Sequence, residues 1–376
     1  MRIRTRSPRR VTLTLVAASA LATGLLVTVA GTGGAANATH RATPHGTTGD
    51  GLASEPGTPS TVSSGWSIPW GLSWLPDGSA LLTERDSFSV YTLTQDGTKK
   101  QVGKVPNVVT TGGEGGLLSI AVSPSWKTDH YVYVMHSAAE GNRIARMTFD
   151  GSQLGDYKVV VDGIKKNKYH NGGRIKFGPD GYLYATTGDA QNPDLAQDTN
   201  SLNGKVLRMT PEGKPAPGNP FGNLVHSYGH RNPQGITWDA QGRLWEGEFG
   251  NSKYDELNLI EPGKNYGWPQ CEGNCSTDGM TNPKRQWPVS EASPSAVAYS
   301  DGAIYMAALR GERLWRIPVD GTNAGTPKAY YTNDYGRLRT VESVPGENSL
   351  WLTTTNADNN GDGGPGSDKV FQIDLK

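Results

Sequence analysis

The sequence predicts an all-β protein, specifically a six-bladed β-propeller, from three observations. Glycine and proline are abundant, at 49 and 24 of 376 residues, and this composition favours many turns and short strands over long helices. A unit of an apolar strand, a Pro/Asp/Gly turn and a second apolar strand recurs along the chain. Most copies continue into a third strand that mixes Arg or Lys with apolar residues. Units of about four strands, repeated at roughly 45–60 residues, are typical of propeller blades.

The repeat unit is found in six copies, and each turn in it is a hairpin signal. The copies begin at Pro69, Leu117, Gly173, Gly235, Ser295 and Val341. A chain of this length could hold two domains, but propellers of this size are single domains. A β-sandwich is the rival fold, although it does not predict a repeat of this length. We therefore assign residues 65–376 to one propeller domain.

The N-terminal residues predict export. Five arginines among the first ten residues precede an apolar stretch at 11–30, and Ala36-Asn37-Ala38 forms a small-x-small cleavage site. These features indicate a signal peptide over residues 1–38. The Arg9-Arg10 pair leaves both Sec and Tat export open. An uncleaved anchor is the alternative, since about 20 apolar residues could span a bilayer, but the Gly/Thr content and the cleavage site favour removal.

The mature chain is expected to be secreted or extracytoplasmic, with no membrane span. Residues 39–64 are rich in Thr, Gly, Ser and Pro and predict a flexible linker. Cys271 and Cys275 are the only cysteines, and in an exported protein they suggest one local disulfide. The competing interpretation, a metal-binding pair, lacks partner Cys or His residues nearby.

The overall charge excludes broad binding to nucleic acid or to a membrane surface. The chain has 36 basic and 36 acidic side chains, so a site for an anion must be local. Polar motifs that could form such a site fall directly before or between the predicted strands. In a propeller these loops meet at one end of the central channel. The candidate residues are Glu114, His170, Arg231, Asn232, Gln234, Gly250, Asn251, Arg310, Arg337 and Arg339.

Residue types in these loops suggest an acid–base group, an anion site and a cation site. The imidazole of His170 can take a proton near neutral pH, although a loop histidine is more often a hydrogen-bonded bystander, as His230 could also be. Arginines on separate loops could together bind a polycarboxylate, whereas each alone would be an ordinary surface charge. Turn carbonyls and nearby carboxylates suit calcium.

A second acidic segment, residues 356–368, does not form an EF-hand. An EF-hand that starts at Asp358 would need Glu at its twelfth position, where Lys369 stands. A long, turn-rich hairpin loop is the better interpretation of this segment.

Two groups of motifs resemble the glucose/sorbosone dehydrogenase family, whose members are soluble quinoprotein sugar dehydrogenases that use pyrroloquinoline quinone (PQQ). The first group is Gly-His-Arg-Asn-Pro-Gln-Gly at 229–235, Asp-Glu-Leu-Asn-Leu-Ile at 255–260 and Asn-Tyr-Gly-Trp-Pro at 265–269. The second is His-Asn-Gly-Gly-Arg at 170–174, followed by Gly-Pro-Asp-Gly and Thr-Gly-Asp. The resemblance covers residues 65–376 and is greatest to the periplasmic-type aldose sugar dehydrogenases. It implies a six-bladed propeller, as the repeats do.

The resemblance also implies a role for each candidate residue. His170 would be the general base, and Arg231 would stabilise developing negative charge. The residues implied to contact or lie close to the cofactor are Glu114, His170, Arg231, Asn232, Gln234, Arg310, Arg337 and Arg339. Glu114 stands where some members carry Gln. The carbonyls of Gly250 and Asn251 would bind the calcium that touches the quinone, while Glu256 and the Tyr266 carbonyl would bind a second, structural calcium.

The function implied is the PQQ- and calcium-dependent oxidation of an aldose sugar at C1 to a lactone, with electrons passed to an external acceptor and a monomer as the default state. One rival is a calcium-dependent lactonase, which usually needs acidic and Asn side chains around one metal. Here the channel candidates are mostly Arg and His. A second rival is a non-catalytic extracellular propeller that binds a partner, which would not need the histidine and the arginines.

Overall fold

The computed structural model describes residues 54–376, and within them the strands form six sheets arranged as the blades of a β-propeller. The predicted signal peptide and residues 39–53 of the predicted linker lie outside the described residues. Across 54–376 we find no helix with the length and apolar character needed to cross a membrane. The two short helices, α1 (Trp126–Asp129) and α2 (Asp194–Gln197), are single turns within loops.

The first strand of the chain is β1 (Ser60–Trp66), and the next twelve strands form blades 1 to 3 in chain order. Blade 1 contains β2 (Pro69–Trp74), β3 (Ala80–Glu84), β4 (Ser89–Leu93) and β5 (Lys99–Lys104). Blade 2 contains β6 (Leu117–Val122), β7 (Tyr131–Ser137), β8 (Asn142–Phe149) and β9 (Leu154–Ile164). Blade 3 contains β10 (Ile175–Phe177), β11 (Leu183–Thr187), β12 (Lys205–Met209) and β13 (Val225–Tyr228).

The remaining strands form three blades, the last of which recruits the first strand of the chain. Blade 4 contains β14 (Asn232–Trp238), β15 (Leu244–Phe249), β16 (Tyr254–Ile260) and β17 (Arg285–Pro288). Blade 5 contains β18 (Pro294–Ser300), β19 (Ala303–Ala308), β20 (Arg313–Asp320), β21 (Asn323–Ala324) and β22 (Lys328–Tyr330). Blade 6 contains β23 (Leu338–Ser343), β24 (Ser349–Thr354) and β25 (Asp368–Asp374), with β1 as its outer strand.

The six repeat copies lie on the first two strands of the six blades, which confirms the predicted fold. Strands such as β3, β19 and β24 are buried along their whole length, because each blade packs against a neighbour on both faces. The apolar residues of these strands therefore form cores between adjacent sheets. Residues 355–367 connect β24 to β25, which pair antiparallel, so the acidic segment is the hairpin loop expected from its sequence.

The ring is closed by β1, and this corrects the boundary of the predicted linker. Residues 60–64 were assigned to the linker, whereas they belong to β1 and pair with β25. The segment before β1 is also bound: the N–H of Glu55 donates to the Lys376 carbonyl at 2.7 Å, and that of Gly57 donates to the Asp374 carbonyl at 2.8 Å. The Ser/Thr-rich composition resembles a linker because the outer face of this edge strand is exposed to water, and only Val62, Ser63 and Trp66 turn inward.

Trp66 makes the apolar contacts that close the ring. Its side chain is fully buried in a cluster that includes Leu72 and Leu82 of blade 1 and Trp351 and Val370 of blade 6. Thus β1 completes blade 6 through its hydrogen bonds and joins blade 6 to blade 1 through Trp66.

We predict that Trp66→Ala lowers the free energy of unfolding by about 3–5 kcal/mol, because it leaves a large cavity at the junction of the first and last blades. Chemical denaturation monitored by circular dichroism would measure the change. Thr61→Ala, at an exposed position of the same strand, is the matched control and should change stability by less than about 0.5 kcal/mol. Equal effects of the two substitutions would show that the junction does not depend on Trp66.

Candidate active site

A cavity of about 500 Å³ lies at the mouth of the channel, at the end where the first strand of each blade begins. All six blades contribute to its walls. The lining includes Arg85, Glu114, Tyr169, Gln234, Phe249, Ser293, Arg310, Glu312, Arg337, Arg339 and Asp358. Five of the predicted cofactor residues, Glu114, Gln234, Arg310, Arg337 and Arg339, therefore face one cavity. Loops that precede the first strands, or that join the second and third strands, supply most of this wall, as expected for a propeller.

Two buried arginines and one carboxylate form the floor of the main cavity. Arg337 Nε lies 3.0 Å from Asp358 Oδ1, and Arg339 Nη2 lies 3.4 Å from Asp358 Oδ2. Arg339 Nη1 also donates to Gln234 Oε1 at 2.9 Å. Burial lowers the pKa of Arg339 to about 9, although Asp358 opposes this shift. Burial would raise the pKa of Asp358, but the two guanidinium groups outweigh it and the pKa lies below its ordinary value.

The wall of the main cavity carries more positively than negatively charged side chains. Its four arginines, Arg85, Arg310, Arg337 and Arg339, outnumber its three carboxylates. The Arg339 Nε is buried and has no hydrogen-bond acceptor among residues 54–376. An anionic ligand would supply an acceptor and the missing negative charge. Arg339 was predicted to lie on a loop, whereas it lies in β23. Arg85 and Asp358 were not predicted as site residues.

His170 is not among the residues that line this cavity, but it follows Tyr169, which is, and Asp189 holds its ring. His170 Nδ1 lies 2.7 Å from Asp189 Oδ1, and Trp268 Nε1 donates to Asp189 Oδ2 at 2.8 Å. The Asp189 side chain is fully buried, whereas 15% of the His170 side chain is exposed. Because a carboxylate accepts hydrogen bonds, the neutral form of the ring carries its proton on Nδ1 and its lone pair on Nε2. This is the tautomer that a general base requires.

The backbone around His170 is unusual, and nearby glycines make it possible. His170 has a φ of +60°, a left-handed conformation that is uncommon for a residue with a side chain and is often found at functional sites. Gly172 has a φ of +64°, and a Cβ there would lie 2.7 Å from the Thr186 carbonyl oxygen. The His-Asn-Gly-Gly loop therefore packs directly against the Thr-Gly-Asp turn that ends in Asp189. That turn was part of the family resemblance, but Asp189 was not singled out from the sequence.

Glu114 joins three blades behind His170. Its Oε2 accepts the backbone N–H of His170 at 2.9 Å and the Nδ2 of Asn232 at 3.1 Å. The Oδ1 of Asn232 in turn accepts the N–H of Gly172 at 3.1 Å. The negative charge of Glu114 thus stabilises the loop that carries His170.

Arg231 lies beside Trp268 and the turn at Gly250 and Asn251. Its Nη1 donates to the Gly250 carbonyl at 2.5 Å, and its Nη2 donates to the Asn251 Oδ1 at 3.1 Å. Its guanidinium carbon is 5.4 Å from the Trp268 ring centre. The side chain of Arg231 therefore contacts the turn that was predicted to bind calcium. It does not line the main cavity with the other arginines. Asn232 and Gln234 lie in β14 and not in the turn before it.

A second cavity, of about 10 Å³, lies next to Arg231 and is large enough for one water molecule or ion. Its lining includes Glu248, Gly250, Glu256, Tyr266 and Glu272. Burial, and then the charge of Glu248, raise the pKa of Glu256 to about 8. The same two causes raise the pKa of the buried Glu246 carboxyl well above its ordinary value. The glutamates around this cavity therefore offer many oxygen atoms, and they outnumber its one arginine.

His230 belongs to this acidic cluster and has a structural role. It is fully buried, and its ring nitrogens lie 2.8 Å from Glu248 Oε2 and 2.9 Å from Ser227 Oγ. The candidate ligand atoms of His230, Glu246 and Glu248 lie within 4.8 Å of one another. Glu246 and Glu248 were not predicted as site residues. The one signal in the sequence is the spacing of two glutamates along an otherwise apolar strand, which places both on one face of β15.

The loop between the two cysteines lies beside the same cavity. Cys271 and Cys275 form a disulfide, as predicted, and Cys271 and Glu272 contribute to the cavity wall.

Comparison with known proteins identifies the family of the chain. The family model for glucose/sorbosone dehydrogenases matches residues 66–362. The chain belongs to the glucose/sorbosone dehydrogenase family. The match confirms the resemblance found in the sequence.

Three members of this family illustrate the similarity. An aldose sugar dehydrogenase from Streptomyces coelicolor, solved in a PQQ-bound form, is 50% identical, with a TM-score of 0.82 over 84% of this chain and 97% of that one. The Escherichia coli aldose sugar dehydrogenase YliI is 30% identical over 314 residues, 74% of this chain and 84% of its own. Quinoprotein glucose dehydrogenase B from Acinetobacter calcoaceticus is 33% identical over 242 residues, 54% of this chain and 51% of its own.

Proposed function

We propose that this glucose/sorbosone dehydrogenase family member is an aldose sugar dehydrogenase that uses PQQ and calcium to oxidise sugars at C1 to lactones. The observation that carries the proposal is the basic cavity beside the His170–Asp189 pair. The relative from Streptomyces coelicolor, with its bound PQQ, supports the choice of cofactor. Electrons would leave through an external acceptor.

The main cavity fits PQQ in charge and size. PQQ is a flat ortho-quinone that bears three carboxylates, and cavities of about 300–1,000 Å³ are usual for ligands of this kind. Arg310, Arg337 and Arg339 would bind its carboxylates, and the Arg339 Nε offers a donor without a protein acceptor. Gln234, Asn232 and Glu114 complete the polar wall. The chemistry that bound PQQ supplies is the acceptance of a hydride.

The oxygen atoms near Arg231 fit calcium. The carbonyls of Gly250 and Asn251 are assigned to the calcium beside the cofactor, where a divalent cation acts as a Lewis acid. Glu256 and the Tyr266 carbonyl are assigned to a structural calcium, and Glu248 lies at the same small cavity. A cation there would relieve the repulsion among the buried carboxylates. The Gly250 carbonyl already accepts a hydrogen bond from Arg231, and its second lone pair would serve the cation.

His170 is assigned as the general base. Asp189 fixes the imidazole so that its Nε2 takes the proton of the anomeric hydroxyl, and the carboxylate then stabilises the imidazolium. Trp268 holds the second oxygen of Asp189 and keeps the pair in place. Arg231 stacks over the same Trp268 and adds positive charge near the base, where it would oppose negative charge that develops during the reaction.

The two rival functions account for fewer of these features. A calcium-dependent lactonase would place acidic and Asn side chains around a metal in the main cavity, but that cavity is basic. A binding module would have no need of a buried Asp189 that fixes one tautomer of His170. The disulfide supports the proposal that residues 1–38 direct export, since disulfides persist in oxidising compartments.

The proposal predicts that dye-linked aldose oxidation by residues 39–376 appears only when PQQ and calcium are both added. His170→Asn should lower kcat by about 10²–10⁴-fold, while PQQ binding, followed by absorbance, persists. His130→Asn is the matched control, because His130 also has a positive φ but is exposed directly after α1. A wild-type protein that neither turns over sugars nor binds PQQ would favour the binding module.

We further predict that Asp189→Asn lowers kcat by about 10²–10⁴-fold with little change in KM, because an amide can donate to Nδ1 and favour the wrong tautomer. Steady-state kinetics with the dye acceptor would separate the two constants. Asp194→Asn, at an exposed position in the same loop, should behave as wild type. An unchanged kcat in Asp189→Asn would rule out the assigned role.

A further inference from the structure

Glu272 binds four successive backbone N–H groups with one oxygen atom. Its Oε1 accepts the N–H of Asn251, Ser252, Lys253 and Tyr254 at 2.7, 2.7, 2.6 and 3.1 Å. Such a group of N–H donors forms a nest for an anion. The anion here belongs to the protein itself and comes from the loop between Cys271 and Cys275.

The contact leaves little room for adjustment. A Cβ on Gly250 would lie 1.8 Å from the Tyr254 carbonyl oxygen and 2.9 Å from the Glu272 Oε1, so the turn closes tightly on itself and only glycine fits at this position. Burial opposes ionisation of Glu272, but the four N–H groups outweigh it and hold its pKa below the ordinary value. The next N–H along the chain, that of Gly273, donates to the Glu256 Oε1 at 2.6 Å. The disulfide loop therefore contacts both the turn and the buried acidic cluster.

The turn that Glu272 holds carries groups of the proposed active site. Within it, the Gly250 carbonyl accepts a hydrogen bond from Arg231 Nη1, and the Asn251 side chain accepts one from Arg231 Nη2. The Gly250 N–H donates to the Oδ1 of Asp255, the residue that follows the turn, at 2.8 Å. The direction of the Gly250 carbonyl thus depends on a backbone that is fixed from outside by Glu272.

We propose that Glu272 is a positioning residue for the active site. Presented by the Cys271–Cys275 disulfide, its carboxylate sets the backbone of residues 250–254, and with it the oxygens that hold Arg231 and would bind calcium. The inference rests on the proposed function, because it is the cofactor and calcium that give this turn its role. A carboxylate that merely capped the turn would stabilise the fold without changing ligand affinity.

Two measurements on residues 39–376 test the proposal. Hydrogen exchange of the protein without added ligands reports on the turn itself: in Glu272→Ala the amides of 251–254 should exchange at least about tenfold faster. Absorbance titration with PQQ at varied calcium reports on the site: the calcium concentration for half-maximal binding should rise about 10–100-fold. Glu272→Gln keeps an acceptor oxygen and should show smaller changes in both measurements.

The controls separate positioning from general destabilisation. Cys271→Ser combined with Cys275→Ser keeps Glu272 but frees its loop, and it should shift both measurements in the same direction as Glu272→Ala. Glu212→Ala, at an exposed position in blade 3, should match wild type.

Each outcome bears on a different claim. If Glu272→Ala binds PQQ and calcium as wild type does, the positioning role is wrong even when the turn exchanges faster. Unchanged exchange of 251–254 would overturn it at the first step. A wild-type protein that binds no PQQ would instead overturn the proposed function, and the positioning role with it.

Discussion

Closure of the six sheets into a ring is the constraint on which the site depends. The ring closes where β1 pairs with β25 and Trp66 packs between the last and first blades. Only in a closed ring do loops from all blades meet at the channel mouth, and residues as far apart in sequence as Arg85 and Asp358 line one cavity. The N-terminal strand, although distant in sequence from His170, thus supports the geometry around it.

Within the ring, two neighbouring cavities of opposite charge share Phe249 in their walls. The main cavity has more arginines than carboxylates, and Asp358 neutralises only part of the Arg337 and Arg339 pair. The second cavity is surrounded by glutamates that burial makes costly to ionise. Buried charge without a partner is expensive, so each region is suited to a ligand of the opposite sign. A polyanionic cofactor and a hard cation meet both requirements.

Much of this could be predicted from the sequence, and what could not has a common physical cause. The repeats gave the six blades, and the loop positions placed Glu114, Arg310, Arg337 and Arg339 near one another, because the period of a propeller determines where its loops lie. The partners of the site residues were missed. Asp189, Glu248, Asp358 and Glu272 act through contacts that only the folded ring creates. The local sequence offers weak signals for two of them, the Thr-Gly-Asp motif for Asp189 and the glutamate spacing in β15 for Glu248, but neither signal identifies the partner. Strand β1 was missed for a related reason, since its pairing partner is at the other end of the chain.

The claim that the arginine floor binds PQQ is tested most directly by titrating the calcium-loaded protein with PQQ and following absorbance. We expect wild type to bind one equivalent, and Arg339→Gln to bind with an affinity lowered by about 30-fold or more, because a buried charge pair with the cofactor would be broken. Arg146→Gln, which removes an arginine stacked on Tyr131 away from the cavity, should bind as wild type does. Equal affinity in Arg339→Gln, or no binding by wild type, would contradict the account.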